Sequence, residues 1–336
     1  MPSLKTKVEL QFGGRCKRPP EGVHFAPGRA ILAGSHLDAV GGRVLAAPLR
    51  EGVACAWGIR PDSRVVVWGM NARQKDSFHH DRIFKCGRSW SDLARGACEF
   101  VAKDGRRMPG IDLMVLGDLP IGEGLASSAA YLTVILRSLH DAVDSYRSKW
   151  ELAEDIPEIE RAWLGRESSK LDAYLVAAAK PSDEVVVVDS AALEHERLTL
   201  PEDYEIASED SGVPRPDDTA LGTSRRRELI AAADGKEPDG SRATYLREET
   251  QRVDEAVTVL RNAEDSDDSR MAQLGRIMAA SHRALSRDLE ASTPEVDSLI
   301  ALAMTKPSIL GARLQGDGGG GRIAVLQKRT GDADAP

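Results

Sequence analysis

Pro120-Ile121-Gly122-Glu123-Gly124-Leu125-Ala126-Ser127-Ser128-Ala129-Ala130 is the stretch from which the rest of the chain is read. The apolar, strand-like run Ile111-Asp112-Leu113-Met114-Val115-Leu116 leads into it, and Ala130, Leu132, Val134, Ile135, Leu136 and Leu139 leave it at helical spacing. A strand, then glycines and serines, then a helix start make a phosphate cradle. Glycine lets backbone N–H groups approach an anion, and the unpaired amides of a first helical turn carry partial positive charge. The hydroxyls of Ser127 and Ser128 stand at the helix entrance, where they can meet a phosphate oxygen or a divalent cation. No Gly-Lys-Ser/Thr follows the glycines, so this is not a Walker A loop. Ser127 stands where the third glycine of a dinucleotide fingerprint belongs. An ordinary glycine-rich turn capped by serine is the plain alternative for the loop taken alone.

Composition bounds the reading. A length of 336 residues predicts roughly two domains, and 41% hydrophobic with 29% charged residues describes a globular chain. No run approaches the ~20 apolar residues of a membrane span, and the N-terminus lacks the charged-then-apolar layout of a signal peptide. The expectation is a cytoplasmic protein with no membrane partner. A net charge of −8 argues against nucleic acid. Cys16, Cys55, Cys86 and Cys98 show no metal-ligand spacing and read as reduced, buried thiols.

Along the chain, residues 1 to about 20 are mixed and basic. Ala26 to Asp38 reads as a strand broken by glycines, Val65-Val66-Val67-Trp68 and Glu184 to Val188 as strands, and Trp90 to Ala102 and Ile156 to Ala178 as largely helical. Residues 208 to 224 read as a loop or hinge, with helices at about 242–263 and 268–288. Asp234 to Gly240 and the tail from Thr330 read as mobile.

The full pattern Pro-x-Gly-x-Gly-Leu-x-Ser-Ser-Ala resembles the ATP-binding loop of the GHMP small-molecule kinases. Ala26-Pro27-Gly28-Arg29-Ala30-Ile31-Leu32-Ala33-Gly34-Ser35-His36-Leu37-Asp38, continuing to Gly41-Gly42, is similar to the galactokinase signature Gly-Arg-x-Asn-Leu-Ile-Gly-Glu-His-Thr-Asp-Tyr-Asn-Gly-Gly. Gly311-Ala312-Arg313-Leu314-Gln315-Gly316-Asp317-Gly318-Gly319-Gly320-Gly321 resembles that family's C-terminal glycine loop, followed by a strand at Ile323 to Leu326. Trp90-Ser91-Asp92 matches a family Trp-x-Asn-Tyr segment near the nucleotide, and Ser281-His282 and Thr293-Pro294 fall in family-like C-terminal helices.

The resemblance implies an α+β, two-domain GHMP kinase fold. Its N-terminal domain would be ribosomal-protein-S5-domain-2-like (1–195), its C-terminal domain ferredoxin-like (196–336), and the active site would lie between them. It implies ATP and Mg²⁺ as cofactors, a small polar, sugar-like acceptor, and a monomer or homodimer. ATP would be met by Pro120, Gly122, Gly124, Leu125, Ala126, Ser127, Ser128 and Trp90, and Mg²⁺ by Ser128 and Glu160. The family's catalytic Asp follows its metal-binding Glu by twelve residues, as Asp172 follows Glu160. Asp172 would be the base, with Arg29 neutralising charge beside it. Arg29, Ser35, His36, Asp38, Asp172, Gly222, Gly316 and Gly318 would contact the acceptor. Blander readings stand beside these: Glu160 as a solvated helix residue, Asp172 as a helix cap, Arg29 as a structural ion-pair arginine, and His36 as a hydrogen-bonded turn residue. Arg225-Arg226-Arg227 reads as an exposed basic patch, and Asp317 as a turn cap that would repel phosphate if it pointed inward.

The chain leaves the family pattern where hydroxyls are recognised. Ser35 replaces the signature Glu, Leu37 the Thr, and Ala39-Val40 the Tyr-Asn; the family's distal Tyr aligns near Gly222. In the catalytic segment the family's Cys-Gly-Ile-Met-Asp-Gln reads Ser169-Lys170-Leu171-Asp172-Ala173. Because sites built to bond a hydroxyl reject ligands lacking it, these losses predict an acceptor other than plain galactose. A true galactokinase and a catalytically silent ATP- and sugar-binding regulator are the alternatives. The presence of both Glu160 and Asp172 favours an enzyme.

Overall fold

A computed structural model describes residues 2–103, 105–179, 184–216, 219–236 and 240–329. In chain order its elements are α1 (Leu4–Cys16), β1 (Gly22–Ala33), β2 (Arg43–Arg60), β3 (Arg64–Gly69), β4 (Gln74–His79), α2 (Ser89–Lys103), β5 (Gly110–Gly117), α3 (Ser127–Ala142), α4 (Lys149–Leu164) and α5 (Lys170–Ala178). There follow β6 (Glu184–Asp189), β7 (Glu194–Thr199), β8 (Tyr204–Asp210), α6 (Thr219–Ala233), α7 (Ser241–Arg261), α8 (Asp267–Arg287), α9 (Pro294–Ala303), β9 (Ile309–Leu314) and β10 (Arg322–Lys328). Two compact units interleave in sequence. The first comprises Met1–Gly28, Glu51–Ile121 and Ala126–Lys180, and the second Arg29–Arg50, Gly122–Leu125 and Pro181–Pro336. Their boundaries fall inside β1 and β2, while residue 195 lies within β7.

In the first unit β5 pairs antiparallel with the second half of β2 and parallel with β3, which pairs antiparallel with β4. A strand with neighbours on both sides and both faces covered reads as a near-continuous apolar run, as β5 does. With side chains alternating, Met114 and Leu116 turn toward α1 and join Val8, Phe12, Ala54 and Ala56 in one core cluster. The helix α1 is absent from the sequence reading, because only Val8 and Phe12, one turn apart, are buried along it. Its ends are nonetheless well made. The Ser3 hydroxyl accepts from the Thr6 amide (3.2 Å), and the amide of left-handed Lys17 donates to the Gly13 carbonyl (3.1 Å).

The expected helical stretch 156–178 is two helices with a corner. Gly165 closes α4 in a left-handed conformation, and the Ser169 hydroxyl caps α5 by accepting from the Leu171 amide at 3.1 Å. This turn leaves Glu160 near the end of one helix and Asp172 in the first turn of the next.

In the second unit β8, β10 and β9 form an antiparallel sheet in that order, with Arg322 opposite Asp210 and Ile323 opposite Leu314. Val296, Ile300, Ala312, Leu314, Ile323 and Val325 fill a core beside it. The expected loop at 208–224 is corrected at both ends: β8 runs to Asp210, and α6 starts at Thr219. The tail of β8, Ser208-Glu209-Asp210, carries no apolar signal; its strand conformation comes from pairing with β10. Helices α7 and α8 fall within about two residues of expectation. Of the segment read as mobile, residues 237–239 lie outside the described residues, as do residues 330–336. Among the described residues all four cysteines are free, but Cys86 is exposed and Cys16 half-buried, which corrects the expectation of four buried thiols. No described helix is long and apolar enough to cross a membrane.

The helix α8 approaches β9 closely at Gly275. A mid-helix glycine ordinarily gives about 1 kcal/mol when replaced by alanine. Here an added Cβ would lie 2.1 Å from the Leu310 carbonyl oxygen, against backbone that cannot rotate away. Overpacking of that kind costs about 1–3 kcal/mol, so the usual sign reverses. Gly275→Ala is expected to lower Tm by a few degrees in a thermal melt; a rise would contradict the packing.

Candidate active site

The loop after β5 has the backbone its glycines foretell. Gly122 and Gly124 adopt φ of +78° and +85°, where side chains are strained. A Cβ on Gly124 would also lie 2.9 Å from the backbone of Gln315 and Gly316, so at this point the two glycine motifs meet main chain to main chain. Ala126 holds φ +61° at the entrance to α3, a conformation costing a non-glycine residue about 1–2 kcal/mol. No side chain caps α3 there. First-turn amides left without a side-chain cap are able to receive an anion.

In the first unit, α3, α4 and α5 gather the predicted carboxylates. Ser128, in the first turn of α3, hydrogen-bonds the carboxylate of Glu160, which is buried in α4. Burial pushes the Glu160 carboxyl above its usual range; the hydroxyls of Ser128 and Ser168 oppose that, the charge of Asp172 adds to it, and Arg166 counters it. Glu160 is thus not the solvated residue of the blander reading. Nor is Asp172 the cap of α5, since Ser169 holds that place. Among the described residues no three His, Cys, Asp or Glu side chains cluster to hold a metal. One buried carboxylate and one hydroxyl suit a hard cation bound mainly through phosphate oxygens. Trp90, also in this unit, donates from its indole to Gln74 at 2.9 Å.

In the second unit the signature strand rests on the glycine loops. Arg29, buried at the point where β1 enters this unit, donates from its side chain to the Gly124 carbonyl and from its backbone to Leu125 (3.1 Å). Gln315, fully buried, reads both polar groups of Ile31, accepting from its amide at 2.7 Å and donating to its carbonyl at 2.9 Å. Gly34 donates to Glu249 (2.7 Å), which also pairs with Arg252 (2.9 Å) and accepts from Ser281. Tyr245 donates to the Ser35 carbonyl at 2.8 Å, and Arg313 to the Ser35 hydroxyl at 2.6 Å. His36 sits left-handed at φ +63° and buried, its basicity lowered by that burial against the raising pull of Asp317 and Asp38. Asp38 pairs with Arg226 at 2.9 Å.

Several lone residues differ from expectation. Arg225 is no exposed patch residue, because its guanidinium donates to the carbonyls of Leu289, Glu290 and Asp317; Arg227 alone of the three is exposed. Asp317 neither caps a turn nor repels phosphate unopposed: Arg215 pairs with it at 2.7 Å and reaches the Gly122 carbonyl at 3.1 Å. Gly222 lies in α6 facing the Asp317 side chain, and Gly318 lies against the Ala291 carbonyl. Sequence reasoning missed Gln315, Arg215 and Arg313 as organising residues. The third glycine motif contained two of them, but their partners are hundreds of positions away.

Known proteins resemble this chain over most of its length. The model of the GHMP kinase N-terminal domain matches residues 92–180, and that of the galactokinase galactose-binding signature matches residues 10–59. A galactokinase of Actinobacillus pleuropneumoniae serotype 3 is 30% identical over 90% of this chain and 84% of its own length. One from Haemophilus influenzae is 27% identical over 94% and 87%. Among solved structures, Lactococcus lactis galactokinase complexed with galactose superposes with a TM-score of 0.82 at 22% identity, covering 96% of this chain and 90% of that one. Methanococcus jannaschii mevalonate kinase gives 0.68 at 15% identity, covering 91% and 90%.

The polar layer beneath the signature carries a pH dependence. His282 of α8 lies 3.1 Å from Asp297. Burial lowers its pKa to about 4, with Asp297 opposing and the charges of Arg313 and Arg283 assisting. An unfolded histidine protonates near 6.5. Between these values the unfolded chain binds more protons, so this contribution is complete above about pH 6.5 and is lost as pH falls toward 4. His282→Gln is expected to flatten the loss of stability across that window by up to about 3 kcal/mol, read from urea melts at several pH values. An unchanged slope would remove His282 from the account.

Proposed function

Because the chain belongs to the galactokinase family of GHMP kinases, ATP-using phosphotransferases acting on a sugar hydroxyl, we propose a division of labour among its own residues. Gly122, Gly124 and the first-turn amides of α3, with Ser127 and Ser128, receive the nucleotide phosphates; Pro120, Leu125, Ala126 and Trp90 border the nucleotide. Ser128 and Glu160 hold Mg²⁺, which when bound neutralises charge on the phosphates. Asp172 accepts the proton of the acceptor hydroxyl as that oxygen takes the γ-phosphoryl group and ADP departs. Arg29, fixed to the loop by Gly124, offsets charge there. Ser35, His36, Asp38, Gly222, Gly316 and Gly318 serve the acceptor. The observation that carries the reading is the grouping of Ser128, buried Glu160 and Asp172 around the start of α3.

The acceptor in this reading is a sugar or sugar-like molecule other than plain galactose, since Ser35, Leu37, Ala39 and Val40 lack the family's polar groups. Phosphorylation of galactose itself is the second reading, favoured by the match of the galactose-binding signature to residues 10–59. Release of ADP across a panel of sugars, amino sugars and nucleosides separates the two, and efficient turnover of galactose would establish the second. The family-type division at residue 195, a cytoplasmic location, and a monomer or homodimer that binds no nucleic acid complete the proposal.

With the best acceptor of that panel, Asp172→Asn is expected to lower kcat by about 10²–10⁴ while ATP affinity is kept. Unchanged turnover would exclude Asp172 from the chemistry. Glu160→Gln is expected to raise the Mg²⁺ concentration needed for half-maximal rate, measured by titration at fixed ATP.

A further inference from the structure

We propose that the acceptor carries a carboxylate, as a hexuronate does, and that this group is recognised at Ser35 through the buried charge of Arg313. The inference rests on the sugar-kinase reading above. At the position of Ser35 the family signature has a glutamate, a side chain that when ionised only accepts hydrogen bonds. Here Arg313, fully buried at the end of β9, donates from Nη2 to the Ser35 Oγ at 2.6 Å. Its Nε and Nη1 are buried as well, and among the described residues neither has an acceptor.

The acid whose charge acts on Arg313 is Glu249, and it already pairs with Arg252 at 2.9 Å, while Arg29 adds a further positive charge. Arg313 thus shares one acid with Arg252 and has no close ion pair of its own among the described residues, an arrangement that leaves positive charge in excess and favours a further counter-charge. Because Arg313 occupies an accepting lone pair of Ser35, the hydroxyl proton of Ser35 is left to donate. A subsite that accepts in the family becomes one that donates, backed by positive charge. The shorter side chain also vacates the volume of a carboxylate. A neutral hydroxyl satisfies the donor but not the charge, and an ammonium satisfies neither.

Galactose and galacturonate differ only by this group, so they form the test pair. Calorimetric titration of each sugar, and initial rates of ADP release with each, are expected to favour galacturonate by at least about tenfold in Kd and in kcat/KM. Arg313→Met should remove most of that preference, and Ser35→Glu should invert it by restoring an acidic partner for Arg313. Should Arg313→Met fail to fold, as judged by its melting curve, Ser35→Glu carries the test. Preference of the parent protein for galactose or galactosamine, or a galacturonate-to-galactose ratio that folded variants leave unmoved, overturns the proposal. If neither sugar is phosphorylated, the kinase reading is what fails in the rate assay, and the binding ratio still decides the present inference.

Discussion

Backbone contact between Gly124 and Gly316 is the constraint on which the second unit is organised. A methyl group on either would press into the main chain of the other loop. That contact brings the carbonyl of Gly124 to Arg29, and the side chain of Gln315, one residue before Gly316, to both polar groups of Ile31. Two glycine loops and the signature strand, three segments remote in sequence, are thereby joined by groups that cannot be exchanged without leaving buried donors or acceptors unpaired. The conformations of Gly34, Ser35 and His36 follow from where β1 is held.

Charge is handled differently in the two units. Around the signature most acids and bases pair, Arg313 being the exception, and the backbone carbonyls of Leu289, Glu290 and Asp317 absorb the donors of Arg225. Around the start of α3 the arrangement is less compensated. Glu160 is buried against hydroxyls with a second carboxylate, Asp172, close enough to raise its pKa further. An acid held at such a disadvantage is a common mark of a functional group, because packing alone would favour a neutral residue there.

Features whose cause is local were legible in the sequence. The phosphate loop needs φ above zero at Gly122 and Gly124, and that demand is visible residue by residue. The corner at Gly165 and Ser169 is absent from the sequence reading, which makes 156–178 largely helical, although both residues mark helix ends by their own chemistry. Features whose cause is distant were not legible. The helix α1 shows only Val8 and Phe12 to its core, too few for a periodic signal. The last residues of β8 are strand by virtue of β10. Nothing near Arg225 announces carbonyl acceptors more than 60 positions away, and nothing near Asp317 announces Arg215.

The interleaving of the units has an evolutionary corollary. Neither unit is a continuous length of chain, so recombination at a single crossover cannot deliver either of them whole. Residues 35 and 313, bonded side chain to side chain, are separated by 278 positions. A change in what the signature recognises can then arise by point substitution at either of two distant positions, rather than by exchange of a cassette. Covariation between those two positions across relatives is the trace such a history would leave.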